Sequence, residues 1–456
     1  MVRESGIEAT LRSLYEAGVY ITLDELKGRR PIARPGLELP VRADCFDNPL
    51  SKGQLQGVTG GSRTHGTRVL LDLEDLDDEA AAGILWLQAN HAFDLPQVYW
   101  RPAAPALGAL KWVLIWTRLG QPVLRWYSQT RPGPQPPAGL RGAIIHSITC
   151  LLTAAAGRPT PYPRYAPLDR PAPIAHYLAR HSQRRRRLVI DTIVSSAVRL
   201  CLEAAELGLD ISGHIFRTFA EPLTAAKAAV IYKAGCGVFS AYGMEDAGRL
   251  GDSCGTPNAL DDVHLLTHRN AFLQVPKQLP GWPQPVGALY LTSLRRTAPK
   301  VLLNVETGDY GVVSERQCGC PLGAAGLTTH LHTIRNYEKL TSVGMHFMGA
   351  DLLDLLEIAL PQRFGGAPTD YQFIETEQEA RTIIKLVISP QVGDLDADEV
   401  RRFALGQLRR RAAGGRLMTD VWRADGALQI ERSQPYATSS AKIQSLHVMS
   451  SRIQRE

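Results

Sequence analysis

Two short segments far apart in the chain carry one carboxylate and one ammonium group that could act together. Thr307-Gly308-Asp309 lies within PKVLLNVETGDYGVV, which predicts a strand entering a tight turn that presents Asp309. Lys442 lies within TSSAKIQSLHV, which predicts a mobile tail near the C-terminal end. A carboxylate can bind ribose hydroxyls, and an ammonium group can neutralise a transferring phosphate and an attacking carboxylate. The pair suggests an enzyme that activates a carboxylic acid with ATP through an acyl adenylate.

Length and composition predict a multidomain globular protein. A chain of 456 residues exceeds one small core, so we expect two or three domains. The net charge of +6 is dispersed apart from a run of four arginines at 184–187, and such runs are usually solvated. No stretch approaches the ~20 apolar residues of a membrane span, and the acidic N-terminal segment does not resemble a signal peptide. We therefore predict a cytoplasmic protein with no nucleic-acid or membrane partner.

The cysteines indicate a metal site. Seven cysteines are odd in number and too sparse for a secreted disulfide scaffold, so reduced thiols are expected. Cys254, His264, Cys318 and Cys320 together make a complete tetrahedral zinc set. The one-residue spacing of Cys318 and Cys320 is shorter than the usual two, and unrelated loop thiols are the alternative. A closed set of four ligands predicts structural rather than catalytic zinc.

The pattern of elements predicts an α/β layered N-terminal domain. An amphipathic helix is expected over 194–207, followed by ISGHIFRTF as a strand, EPLTAAKAAVIYKA as a helix and CGVFSAYG as a strand. Such alternation is typical of largely parallel sheets. Upstream, GAIIHSITCLLTAAA predicts a buried strand running into a short helix, with His146 at the strand end. His146 is then a core residue or, less often, a substrate contact.

The C-terminal half predicts two further parts. GALYLTSL, KVLLNV and YGVVSE are short strands, which predict a β subdomain over about 252–325. A helix over 350–360, the strand IIKLVIS, a helix over 397–411 and the strand GALQIERS then predict a small α+β domain. We place the domain boundary so that residues 1–334 form the N-terminal domain and residues 335–456 form the C-terminal one.

A Gly-rich loop could bind phosphates. VTGGSRTHGTRVLL places Thr59, Gly60, Gly61 and Ser62 between two apolar runs, where N–H and hydroxyl groups could meet a triphosphate. A surface turn explains the same residues.

Two strand ends could contribute to the same site, because ligands of open α/β sheets gather at the carboxyl ends of strands. Ala220-Glu221-Pro222 follows one predicted strand, and AYGMED ends the next. Tyr242 could stack on a purine, and Glu245 or Asp246 could hold magnesium. The alternative for the two acids is the first turn of a helix.

In this order, the segments resemble the adenylate-forming superfamily, in its phenylacetate–CoA ligase branch, over nearly the whole chain. TGGSRTHGTRV is similar to the phosphate loop, AEPLT to the adenine segment, AYGMED to the Tyr-Gly-x-x-acid motif and ETGD to the ribose-binding motif. IRNYEKLTSVGMHF resembles the hinge, and TSSAKIQ the terminal lysine motif. The implied contacts to ATP or AMP are Thr59, Gly60, Gly61, Ser62, Ala220, Glu221, Pro222, Tyr242, Gly243, Asp309 and Arg335.

The resemblance implies a large N-terminal α/β domain with a small C-terminal lid that rotates between two half-reactions. Lys442 is implied to bridge the acid and the α-phosphate, and Asp246 or Glu245 to hold Mg²⁺. Three departures stand out: Arg63-Thr64 in the Gly loop, Asp246 in place of a glutamate, and Tyr337-Glu338 at the hinge. The Cys and His set also matches zinc ligands of that branch.

The resemblance implies a small-molecule carboxylic acid of aromatic or arylacetic type, with coenzyme A as the acceptor. Three alternatives stay open. One is an amide or ester synthetase, one is an enzyme that acylates a carrier protein, and one is a catalytically silent nucleotide-binding homologue. A homodimer also stays open.

Overall fold

The computed structural model describes most of the chain. The described residues are 2–53, 55–58, 68–72, 74–103, 106–121, 123–131, 139–244, 246–279, 284–337, 341–342, 345–346, 349–378, 381–411, 428–438 and 441–448. Within these ranges, no helix combines the length and apolar character needed to cross a membrane.

The helices of the described residues are α1 (Val2–Glu16), α2 (Leu23–Leu26), α3 (Asp75–Ala89), α4 (Leu107–Arg118), α5 (Gly139–Ala155), α6 (Ala172–Gln183), α7 (Val194–Glu206), α8 (Ala225–Lys233), α9 (Pro321–Ala324), α10 (Gly349–Asp354), α11 (Leu360–Phe364) and α12 (Ala397–Arg411). A π-helical segment, Leu355–Ala359, joins α10 to α11.

The strands form one large sheet and several small ones. They are β1 (Ile32–Arg34), β2 (Leu37–Leu39), β3 (Leu55–Val58), β4 (Arg68–Leu71), β5 (Gln97–Trp100), β6 (Val123–Ser128), β7 (Arg164–Tyr165), β8 (Val189–Ile193), β9 (Ile215–Phe219), β10 (Gly237–Met244), β11 (Gly248–Asp252), β12 (Val263–Leu265), β13 (Asn270–Lys277), β14 (Val286–Ser293), β15 (Val305–Glu315), β16 (Thr329–Asn336), β17 (Thr341–Ser342), β18 (Met345–His346), β19 (Tyr371–Gln378), β20 (Arg381–Ile388), β21 (Leu428–Arg432) and β22 (Leu446–Val448).

Twelve strands make the large sheet, in the order β13-β14-β15-β16-β12-β11-β10-β9-β8-β5-β6-β7. The strands from β7 to β10 run parallel, and those from β10 to β13 run antiparallel. The predicted β subdomain is therefore continuous with the parallel strands, and β10 is the strand where the two patterns meet.

Helices cover both faces of the parallel strands. On β5, Val98 and Trp100 pack with α6, α7 and α8, whereas Tyr99 packs with α3 and α4 on the other face. This alternation follows from the two-residue period of a strand. The predicted α/β layered architecture is confirmed.

The C-terminal part is a separate small sheet in the order β21-β20-β19-β22, packed against α12 and the 349–364 helix. This confirms the predicted α+β unit. The predicted boundary at 334/335 stays a prediction.

The interpretation of 142–156 as a strand followed by a short helix was wrong, because α5 (Gly139–Ala155) is one continuous helix. Its β-branched residues Ile144, Ile145 and Ile148 favoured a strand. Burial instead recurs at Gly142 and His146, four residues apart, which is a helical period. His146 thus lies within a helix, against the edge of Trp126.

The tight turn predicted at ETGD is also wrong. Thr307, Gly308 and Asp309 lie inside the eleven-residue strand β15, and the preceding residues 300–304 lie outside any strand. Gly308 has φ of 79°, which glycine adopts without strain, and the register shifts just after it. The irregular strand presents Asp309 where a turn was expected.

Candidate active site and metal centre

A cavity of about 430 Å³ lies at the carboxyl ends of the parallel strands, between the large sheet and the C-terminal unit. Its walls include residues at or just beyond the carboxyl ends of β5, β8, β9 and β10, which is where an open α/β sheet binds its ligands. Residues 442–446 of the C-terminal unit complete the wall.

The cavity brings together eight of the residues that the sequence singled out. They are Ala220, Glu221, Pro222, Tyr242, Gly243, Asp309, Arg335 and Lys442. Asp309 and Lys442 are 133 residues apart in the chain but line the same space.

Several other predicted residues are not described by the structure. Thr59, Gly60, Gly61, Ser62 and Glu245 lie outside the described residues, as do Arg63, Thr64 and Glu338.

Asp246 is described but does not line the cavity. It follows β10 in a turn rather than in a helix, and its Oδ2 accepts a hydrogen bond from Lys27 Nζ at 2.5 Å. That ion pair already neutralises the carboxylate, so this arrangement does not offer Asp246 to a cation at the cavity. Its magnesium role stays a prediction.

Two hydrogen bonds orient the Asp309 carboxylate. The Tyr242 hydroxyl donates to Oδ2 at 2.8 Å, and Asn336 Nδ2 donates to Oδ1 at 2.8 Å. Asn336 lies opposite Asp309 on the neighbouring strand β16. Burial and the Asp309 charge raise the pKa of Tyr242 well above its ordinary value, so the phenol remains a donor. A carboxylate held in this way can accept from ribose hydroxyls.

Tyr242 therefore has a role that sequence reasoning missed. Its ring was predicted to stack on a purine, whereas its hydroxyl is engaged with Asp309. Asn336 was missed entirely, because the pairing of β16 with β15 that brings it to Asp309 is a feature of the folded sheet.

Arg335 is held by a network at the end of β16. Its NH1 donates to Asp261 Oδ2 at 3.0 Å, and Asp261 also accepts from the backbone N–H groups of Thr333 and Ile334 at 2.9 Å each. The guanidinium therefore has a fixed direction at the cavity wall. This residue is at the predicted start of the C-terminal domain.

Hydrogen bonds with Thr438 position the backbone of Lys442. Thr438 N donates to Lys442 O at 2.9 Å, and Lys442 N donates to Thr438 Oγ1 at 3.1 Å. Ala441 has φ of 63°, which a non-glycine residue rarely adopts. The next residue, Ile443, donates its backbone N–H to Glu221 Oε1 at 2.7 Å. The segment that carries Lys442 (residues 441–446) is thus hydrogen-bonded to the N-terminal part of the chain.

Glu221 also contacts the start of α7. Its Oε2 accepts from Ser195 N and its Oε1 from Ser195 Oγ, both at 2.9 Å. Burial raises the pKa of Glu221, although Lys227 and the hydrogen bonds act in the opposite direction.

A second link joins the two parts of the chain. Lys227 Nζ lies 2.8 Å from Glu357 Oε1, and the Thr224 hydroxyl donates to Glu357 Oε2. Lys227 and Glu357 are both buried, so this ion pair is shielded from solvent.

The α4 side of the cavity carries partly buried ion pairs that the sequence did not reveal. Arg101 NH1 donates to Asp191 at 3.1 Å, and Lys111 Nζ lies 2.5 Å from Glu79. Burial alone would raise the pKa of Glu79, but Lys111 and nearby arginines outweigh it and lower the pKa. Apolar wall residues such as Trp112 and Phe219 lie beside these pairs.

The predicted metal ligands also come together. The donor atoms of Cys254, His264, Cys318 and Cys320 all lie within 4.8 Å of one another. Cys254 Sγ is 4.0 Å from Cys318 Sγ, and His264 Nε2 is 3.5 Å from Cys318 Sγ and 3.3 Å from Cys320 Sγ. With Zn–S bonds of about 2.3 Å, a tetrahedral site has ligand atoms about 3.8 Å apart. The donor set therefore fits tetrahedral Zn²⁺.

The surroundings of the cluster suit a metal ligand set. His264 Nδ1 lies 2.6 Å from the carbonyl oxygen of Leu327, which leaves Nε2 free to face the cysteines. Cys254 and Cys320 pack in an apolar cluster with α3, so the site is closed on that side. Unrelated loop thiols would not converge in this way.

Comparisons with known proteins find similarity of structure only. No family model matches the chain, and no curated protein matches it. An open conformation of 2-hydroxyisobutyryl-CoA ligase in complex with 2-HIB-AMP and CoA is 15% identical, with 98% of this chain and 85% of that chain covered and a TM-score of 0.46.

Two further solved structures are similar at the same level. A structure from studies of fatty acyl-adenylate ligases from E. coli and L. pneumophila is 12% identical, with 86% of this chain and 68% of that chain covered and a TM-score of 0.46. A malonyl-CoA ligase with methylmalonyl-CoA and AMP bound is 12% identical, with coverage of 94% and 82% and a TM-score of 0.37.

Proposed function

We propose that this chain is an adenylate-forming enzyme that activates a carboxylic acid with ATP and passes the acyl group to coenzyme A. The observation that carries the proposal is the presence of Asp309 and Lys442 in one cavity, at the carboxyl ends of the parallel strands. An acyl adenylate requires both a partner for the ribose and a cation near the α-phosphate.

In the first half-reaction, a carboxylate oxygen of the acid attacks the α-phosphorus of ATP. An O–P bond forms, the bond to the bridging oxygen breaks, and pyrophosphate leaves. Asp309 holds the ribose hydroxyls, residues 220–222 lie against the adenine, and the Lys442 ammonium stabilises charge on the acid and the α-phosphate. Positioning and charge stabilisation provide most of the rate enhancement in such a step.

In the second half-reaction, a thiolate attacks the acyl carbon and AMP leaves. Coenzyme A as the acceptor and an aromatic acid are the finer parts of the proposal. Trp112 and Phe219 on the cavity wall support an acid with a flat apolar group. We also place the domains at 1–334 and 335–456, and assign the Cys254, His264, Cys318 and Cys320 set to structural Zn²⁺.

Pyrophosphate exchange with a panel of carboxylic acids tests the proposal. We expect exchange with at least one acid, and its loss in Lys442→Ala, while that variant still consumes a preformed acyl adenylate. Lys385→Ala removes the same charge from β20 of the same unit, where Lys385 pairs with Glu431, and should exchange like the wild type. ATP binding without exchange for any acid would instead indicate a silent nucleotide-binding protein.

The acceptor is tested separately. Release of the acyl group should depend on coenzyme A. Release to an amine, a hydroxyl compound or a carrier protein instead would favour the amide or ester synthetase or the carrier-acylating alternative.

A further inference from the structure

The peptide group that joins Lys442 to Ile443 is held on both sides. Its carbonyl oxygen, on Lys442, accepts from Thr438 N at 2.9 Å within the C-terminal unit. Its N–H, on Ile443, donates to Glu221 Oε1 at 2.7 Å across to the N-terminal part. The orientation of this peptide plane sets the direction in which the Lys442 side chain leaves the backbone.

We propose that Glu221 is a positioning residue that holds the Lys442–Ile443 peptide against the large sheet, so that the Lys442 ammonium faces the cavity during acid activation. This inference rests on the proposed function. It assigns to the Glu221 side chain a task in addition to the adenine contact that its motif implies for residues 220–222.

The Glu221 carboxylate is also held by contacts within the N-terminal part of the chain, independently of its bond to Ile443. Ser195 donates from both its backbone N–H and its hydroxyl, so the carboxylate sits at the start of α7. A carboxylate at a helix N-terminus is also favoured by the helix dipole. The acceptor for the Ile443 N–H therefore has a defined place on the N-terminal part.

An amide cannot replace this carboxylate. Oε2 faces the Ser195 N–H and Oε1 faces the Ile443 N–H, so both oxygens must accept. In Glu221→Gln, one of the two positions becomes an NH₂ group that points a donor at a donor. The NH₂ group is accommodated at the Oε1 position, because there it can donate to the Ser195 hydroxyl oxygen, whereas at Oε2 it would face only the Ser195 N–H. The change therefore preserves size and removes the contact to the Ile443 N–H.

The test separates the two half-reactions. Because hydrogen bonds to charged groups contribute about 1.5–3 kcal/mol, Glu221→Gln should lower pyrophosphate exchange by about tenfold to a hundredfold. Consumption of a preformed acyl adenylate with the acceptor should stay within about twofold of the wild type. Equal loss of both half-reactions, or no loss of exchange, would overturn the inference.

A matched control lies on α7, the helix whose Ser195 binds the Glu221 carboxylate. Glu206→Gln makes the same substitution at an exposed position, eleven residues and about 16 Å along α7 from Ser195. It should leave both half-reactions unchanged. A loss of exchange in Glu206→Gln as large as in Glu221→Gln would attribute the effect to α7 rather than to the Ile443 contact, and would refute the inference.

A second variant acts from the other end of the bond. Replacing the Ile443 amide by an ester removes only its N–H and leaves Glu221 and α7 untouched. The ester should reproduce the loss of pyrophosphate exchange. When it is combined with Glu221→Gln, the two losses should not add, because both changes remove the same contact. Additive losses would contradict the assignment.

One readout does not depend on activity. Hydrogen exchange of the Ile443 amide should be slow in the wild type and at least tenfold faster in Glu221→Gln; unchanged protection refutes the contact. If the wild type shows no pyrophosphate exchange with any acid, the proposed function fails, and this measurement still decides whether Glu221 holds the segment.

Discussion

The Tyr242 hydroxyl offers a sharp test of how the cavity binds a nucleotide. Tyr242→Phe keeps the ring and deletes the hydroxyl that donates to Asp309 Oδ2 at 2.8 Å. A hydrogen bond to a charged acceptor is worth about 1.5–3 kcal/mol. Asn336 still holds Oδ1, so we expect the lower part of that range, which corresponds to about tenfold weaker binding of AMP.

The assay is calorimetric titration with AMP and with its 2′,3′-dideoxy analogue. If the hydroxyl acts through Asp309 on the ribose, Tyr242→Phe weakens AMP and leaves the dideoxy analogue unchanged. Tyr371→Phe is the matched control, because its hydroxyl donates to Gly365 O at 2.6 Å in the C-terminal unit. Equal weakening of both nucleotides by Tyr242→Phe, or none, would refute the reasoning.

Two further predictions concern the metal cluster and a buried histidine. The purified protein should contain about one zinc per chain, which metal analysis measures. Cys318→Ser or chelation should lower the free energy of unfolding by more than about 2 kcal/mol, which thermal unfolding measures. Equal stability with and without the metal would contradict the assignment. Burial lowers the pKa of His146 to about 4. Between pH about 6.5 and 4, His146 therefore binds a proton in the unfolded chain but not in the folded chain. The free energy of unfolding falls as pH is lowered through that window, by about 3 kcal/mol at most. His146→Gln should flatten this part of the unfolding curve, and parallel curves would disprove the assignment.

The sequence predicted part of the fold, namely those elements that local apolar patterns determine. The 194–207 helix, the strands around it and the C-terminal α+β unit follow from apolar spacing alone. The wrong prediction at 142–156 has a physical cause: a continuous apolar run with β-branched residues suits a strand and a helix equally well. The continuity of the twelve-stranded sheet depends on pairing between distant segments, which no local pattern contains.

The candidate site divides in the same way. Asp309, Lys442 and the cysteine cluster stand in recognisable segments, so their residue types could be predicted. The contacts of Asn336 with Asp309 and of Glu221 with Ile443 are formed across long stretches of chain. They depend on the packed structure, and the motifs that contain these residues give no sign of them.

The change of strand direction at β10 has a consequence for cooperativity. A nucleotide in the cavity would contact residues 220–222 on the parallel side and Asp309 on the antiparallel side, and thus span the seam between them. Ligand binding would then stabilise both halves as one unfolding unit, and neither half alone would retain affinity. Fragments divided at this seam should regain affinity for AMP only when they reassemble.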